Sequence, residues 1–302
     1  MQLDATLRSF LLHCADGADT KLTVLYHATS ALYARQYAEL AEAYCLQTNL
    51  RFQSQVHFRQ DVLSFLAVHA DLRYGADLYH RLARLHRRLG FLGQPLLRFG
   101  KPSYVFFLVD DNLFVSKFCL FDALRSLERE PQALGFSLRL GRNTTYCYTR
   151  DLPQSLPEFN TSGEDVLCFD WRRGELDFAY PLEVSSSIYR TADLLPLLNR
   201  KRFANPNQLE SRLAESADQY IYRPLLLCLP KSVAFSNPIN QVAERYQNRA
   251  GVIHTYSSHD LAVIFEKGMR VDVAVYTGFV PQGCHQEVEL NFYRPERDVN
   301  GC

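Results

Sequence analysis

The chain opens as an alternation of short apolar runs with stretches whose apolar residues recur every three to four positions, which is the pattern of strands followed by amphipathic helices. Residues 22–27 (LTVLYH) read as a strand. After Ala28, Thr29 and Ser30, the spacing of Leu32, Tyr33, Tyr37, Leu40, Ala41 and Tyr44 predicts a helix. Alternation predicts a second strand over 50–58. Helix formers with apolar spacing then run from 62 to 89, with Arg81, Arg84, Arg87 and Arg88 on the wet face. Residues 104–109 (YVFFLV) are six apolar residues in a row, as in a strand covered on both faces, and the run stops abruptly at Asp110-Asp111-Asn112.

Beyond 134 the pattern predicts strands at 136–141 and 145–148, a polar loop over 151–165, and an ordered stretch over 166–180 closed by Pro181. Helices are expected at 191–198, at 208–214 behind an Asn205 cap, at 239–246, and at 257–265 ending near Gly268. A buried strand is expected at 225–229, and 294–302 reads as a frayed tail. Strands and helices in this order imply an α/β fold with a mixed, mainly parallel sheet flanked by helices on both faces. Ligands of such sheets bind where strands end at their carboxyl edges.

At 302 residues the chain is long enough for one large domain with a substantial core. Lys+Arg and Asp+Glu both number 33, which removes the broad electrostatic reason for nucleic-acid binding. No stretch reaches the roughly 20 apolar residues of a membrane span, so a cytoplasmic protein without a transmembrane segment is expected. The eight cysteines are far apart and form no CxxC pair, so reduced thiols in the core are expected. His254 and His259 have no carboxylate–cysteine set nearby, which argues against a zinc site. The phosphate-loop, dinucleotide, serine-esterase and zincin motifs are all absent from the sequence.

The candidate chemistry centres on Asp110 and Asp111. Two adjacent carboxylates at a strand exit offer the hard oxygens that hold Mg²⁺ or Mn²⁺, which in turn takes diphosphate oxygens; such a doublet also serves as a turn former. His285, on a loop after a Pro/Gly turn, is a candidate for the same metal or a surface histidine. Glu210 lies in the early turns of its helix, either as a general base or as part of a cap. Arg139 and Arg142 flank Gly141, placed to meet phosphate or to pair with surface acids. Trp171, Tyr180 and Tyr189 are candidates for stacking on a sugar, or for packing.

Six segments, FFLVDDNLFV (106–115), GFSLRLGRNTTYCY (135–148), WRRGELDFAYPLEVSSSIYRTADLLPLL (171–198), NPNQLE (205–210), FSNPINQVAERYQNR (235–249) and CHQEVELNF (284–292), resemble blocks of GT-A-type glycosyltransferases, members of the nucleotide-diphospho-sugar transferase superfamily. That resemblance implies a donor-binding half over 1–133, an acceptor-binding and catalytic half over 134–293 of the same domain, and a tail. It implies a nucleotide-diphospho-sugar donor, a glycan or other hydroxyl acceptor, and Mn²⁺ or Mg²⁺. Asp111, Asn112 and His285 would be the metal ligands. Thr29, Asp110 and Arg139 would contact the donor, and Glu210 would be the base of an inverting transfer. The acidic motif departs from DxD at its third position, Asn112. The alternatives are a sugar nucleotidyltransferase, although the turn after the first strand has no glycine, or a non-catalytic nucleotide- or carbohydrate-binding relative.

Overall fold

The computed structural model describes residues 1–69, 103–239 and 256–295. Much of the 62–89 helix, with Arg81 to Arg88, most of the 239–246 helix, His254 and nearly all of the tail lie outside the described residues. The described helices are α1 (Gln2–His13), α2 (Ala31–Ala43), α3 (Phe58–His69), α4 (Leu120–Arg129), α5 (Thr191–Leu198), α6 (Pro206–Ala214) and α7 (Ser258–Glu266). The strands are β1 (Leu22–Tyr26), β2 (Leu50–Ser54), β3 (Tyr104–Phe107), β4 (Asn112–Phe114), β5 (Ala133–Ser137), β6 (Tyr146–Cys147), β7 (Leu152–Pro153), β8 (Asn160–Thr161), β9 (Leu167–Asp170), β10 (Ser187–Arg190), β11 (Leu225–Cys228), β12 (Ala234–Ser236), β13 (Arg270–Val271) and β14 (Phe292–Tyr293).

The caps follow from local chemistry. Asn205 Oδ1 accepts from the Gln208 N–H at 2.9 Å, and Pro206 opens α6 where its missing N–H costs nothing. Ser257 and Asp260 form a capping box at α7.

The central sheet has the order β3-β10-β5-β11-β9-β8. Among its ladders only β5 and β11 run parallel. The sheet is mixed, as expected, but mainly antiparallel where a mainly parallel one was expected: β10 and β9 insert antiparallel between neighbours, a pairing that apolar periodicity does not report. A separate two-stranded parallel sheet joins β1 and β2.

Helices cover both faces of the central sheet. On one face Leu134, Tyr189, Leu226 and Phe169 pack with Leu66 of α3, Leu198 of α5 and Leu213 of α6. On the other, Phe136, Ile188, Leu227 and Cys168 meet Phe10 of α1 and Leu127 of α4. Ile188 and Tyr189, adjacent in β10, thus face opposite cores, as the two-residue strand period requires. Cys14, Cys119, Cys147, Cys168, Cys228 and Cys284 are free thiols. Cys45, exposed beyond α2, departs from the expectation and is disulfide-bonded.

Candidate functional site

Register decides where the chemistry gathers. Ser187 at the start of β10 pairs with Phe107 at the end of β3 and with Ser137 at the end of β5, and Ser137 pairs with Cys228 at the end of β11. The segments leaving β3, β5 and β11 and the one entering β10 therefore share one edge. That edge carries Asp110, Asp111, Arg139 and Glu183.

The acidic turn is locked by Asn112. Its Oδ1 accepts from the Val109 N–H at 2.9 Å, and its Nδ2 donates to Ser185 Oγ at 2.9 Å and Ser236 Oγ at 3.0 Å. Asn112 is fully buried, and the Thr6 hydroxyl tethers the Asp110 and Asn112 carbonyls from α1. Both ends of the Asn112 amide are engaged within the protein, so Asn112 shapes the turn.

The Asp110 charge acts on Asp111 beside it and on Tyr37 of α2, which stacks on Tyr26 of β1 at 4.3 Å between ring centres. The Asp111 carbonyl accepts from the Asn237 N–H at 2.8 Å, and the Ser236 hydroxyl stabilises the Asp111 carboxylate charge. Burial, then the neighbouring Asp110 charge, pushes the Asp111 carboxyl up to about 7 against the pull of Arg139. Its Oδ1 is buried without a partner. A shallow, open depression adjoins the doublet, with Gln2, Asn237, Val271 and Leu290 among its lining.

His285 reaches the same edge from a distant part of the chain. Ser236 and His285 form an isolated parallel bridge, with the Ser236 N–H on the Cys284 carbonyl and the Gln286 N–H on the Ser236 carbonyl, both at 2.9 Å. The loop is also pinned from the β6 side, where a Cβ on Gly283 would lie 2.4 Å from the Tyr146 carbonyl oxygen. Burial, then Arg139, holds the imidazole down to about 3, so it is neutral, and its Nδ1 is buried and unpartnered.

Arg139, on the exit of β5, is the electrostatic hub. Its guanidinium is buried and its Nη2 pairs with Glu183 Oε2 at 2.9 Å. Its positive charge acts on Asp111, Asp177, Glu183, Glu210 and His285. Glu210 of α6 lies within electrostatic reach of Arg139 and Glu183, and the Val184 N–H favours its charged form. Burial raises the Glu210 carboxyl above its ordinary 4.5, with Arg139 and that N–H opposing.

Glu183 escaped the sequence reading because a single glutamate in PLEVSSS carries no spacing signal. Ser186, three residues on, is fully buried at φ +72°, a left-handed conformation rare for a non-glycine residue and an indication of local strain.

Other candidates fall elsewhere. Thr29 is exposed on the bend before the α2 cap, and among the described residues no hydrogen bond or ion pair ties it to Asp110, Asp111 or Arg139. Arg142 packs over the Phe159 ring at 5.1 Å. Trp171 and Tyr189 are buried packing residues whose polar tips meet backbone, whereas Tyr180 is exposed. Among the described residues no group of three or more His, Cys, Asp or Glu side chains is gathered to hold a metal ion. None of the described helices is long and apolar enough to cross a membrane.

Comparison with known proteins adds a chemical class. No family model matches the chain. The chain is 31% identical over 173 residues to a Dictyostelium discoideum protein named bifunctional glycosyltransferase pgtA. This is a partial, distant likeness to a glycosyltransferase. The match covers 49% of the chain and 22% of that protein's length.

Proposed function

We propose that the chain is a GT-A-type glycosyltransferase that moves a sugar from a nucleoside-diphosphate donor to a hydroxyl of a glycan or similar acceptor, with inversion. The likeness to a protein named a glycosyltransferase supports the class. One observation carries the mechanism: Asp111, Arg139, Glu210 and His285 converge at one sheet edge, and three of them keep unpartnered buried polar atoms there. Groups left this way ask for a ligand.

In this reading Asp111 and His285 would hold Mn²⁺ or Mg²⁺: an unpartnered carboxylate oxygen and a neutral imidazole nitrogen are donors such a cation accepts. When bound, the ion supplies charge neutralisation for the departing diphosphate. Asp110, on the Tyr37 side, takes the donor ribose, with the nucleoside extending toward Thr29. Arg139 offers guanidinium N–H groups to phosphate oxygen.

Glu210 acts as the base. It takes the acceptor hydroxyl proton as that oxygen attacks the anomeric carbon, the new C–O bond forms, and the bond to the diphosphate breaks. Burial gives the carboxylate the raised proton affinity a base needs, with Arg139 and the Val184 N–H opposing.

Incubation with a panel of nucleotide-sugars, Mn²⁺ and acceptors tests the proposal. Transfer releases nucleoside diphosphate. Release of pyrophosphate would instead identify a nucleotidyltransferase, and release of neither would leave a binding protein.

A further inference from the structure

Arg139 is buried with most of its guanidinium donors uncommitted. Nη2 is spent on Glu183, while Nε and Nη1 are buried without any partner. A buried guanidinium with two idle N–H groups is costly unless something else satisfies them. Arg190 and Arg223 also approach a carboxylate, that of Asp193, but each donates to backbone carbonyls as well. The Arg139 guanidinium makes no such backbone contact among the described residues; its one partner is Glu183.

Glu183 is itself held rigidly. Its Oε2 accepts from Arg139 and from the Ser185 N–H. Its backbone N–H donates to the Tyr189 hydroxyl at 3.0 Å, and that hydroxyl lies 2.9 Å from the Glu183 carbonyl oxygen. Tyr189 is fully buried, so the Glu183 backbone is tied to the core. The residue after Glu183, Val184, supplies the N–H that favours the charged form of Glu210.

We infer that Glu183 is a positioning residue that fixes the Arg139 guanidinium by one nitrogen, leaving Nε and Nη1 to receive the oxygens of the departing diphosphate. The inference rests on the transferase reading for the identity of the anion. Its geometry stands on the idle N–H groups and on a carboxylate held by Arg139 and the Ser185 N–H, with the Glu183 backbone tied to Tyr189. A carboxylate that spends a single guanidinium nitrogen orients the planar group and leaves the rest of its donors free. Glu183 touches no reacting atom in this account; it acts through Arg139.

The test uses inorganic diphosphate with Mg²⁺ as the probe and the Arg139 Nε–H resonance as the readout, in the full chain. In the wild type, diphosphate shifts that resonance. In Glu183→Gln the shift is lost or needs about tenfold to hundredfold more diphosphate, the size expected when an orienting partner is removed. Glu183→Asp restores most of it. Glycosyl transfer should follow the same order, with kcat falling in Glu183→Gln while the acceptor KM stays put.

An unchanged diphosphate response in Glu183→Gln would overturn the inference. So would a loss that Glu183→Asp fails to recover while melting shows both variants folded. Should the wild type release no nucleoside diphosphate from any donor, the transferase reading falls, and the resonance comparison still decides the role of Glu183.

Discussion

Asn112 donates to Ser236 Oγ at 3.0 Å across the β4–β12 pair, so the residue that ends the acidic motif is a buried brace for the strand that carries the His285 loop. A change of Asn112 to Asp would complete a DxD sequence on paper. In this structure it removes two amide donations to Ser185 and Ser236 and buries a charge. We expect Asn112→Asp to lose about 2–4 kcal/mol of stability in denaturant unfolding. Mn²⁺ affinity should not rise; tighter Mn²⁺ binding with unchanged stability would return Asn112 to the metal.

Gly283 sits against the Tyr146 carbonyl, with room for no Cβ. Gly283→Ala must push the loop outward and move His285 with it. A stability loss of about 1–3 kcal/mol is expected, together with weaker Mn²⁺ binding by calorimetry. Unaltered metal binding in a folded variant would mean that His285 does not contribute to it.

Asp16 caps α4 from outside the helix, accepting from the Leu120 N–H at 2.8 Å and the Phe121 N–H at 2.7 Å. Burial opposes ionisation, but these backbone donors outweigh it and hold the carboxyl below its ordinary 3.8. Because the folded-state value is depressed, the ionised cap stabilises above about pH 4 and is lost as pH falls through the lower folded value. Asp16→Ala should cost about 1–3 kcal/mol at pH 7. The gap to the wild type should narrow in urea unfolding at pH 3, and a gap independent of pH would exclude the cap charge.

Glu210→Gln keeps the shape of the carboxyl and removes its basicity. Donor binding should persist while kcat falls by about 10²–10⁴-fold. Since burial raises the Glu210 carboxyl, the acid limb of the wild-type rate profile should lie above 4.5, activity falling as pH drops through it. A profile flat down to pH 4.5 would remove Glu210 as the base.

Much of this was legible in the chain because the signals are local. The run 104–109 is continuous and apolar, so β3 and the acidic turn after it were visible, as was the Asn205 cap that aims α6. What the residues could not report is pairing over distance. The antiparallel insertion of β10 is set by register with Phe107 and Ser137, and no periodicity encodes it. The same register carries Glu183 to Arg139, forty-four positions away in sequence, which is why that partner went unseen. At Asn112 the sequence shows only its place beside two aspartates; its burial and its bonds to Val109, Ser185 and Ser236 become visible in the fold.

The central claim is a divalent ion held by Asp111 against a diphosphate. Calorimetric titration of nucleoside diphosphates into the wild type and Asp111→Ala, with and without Mn²⁺, tests it most directly. The account predicts Mn²⁺-dependent binding in the wild type and its loss in a folded Asp111→Ala. Equal Mn²⁺-dependent affinity in both proteins would contradict it.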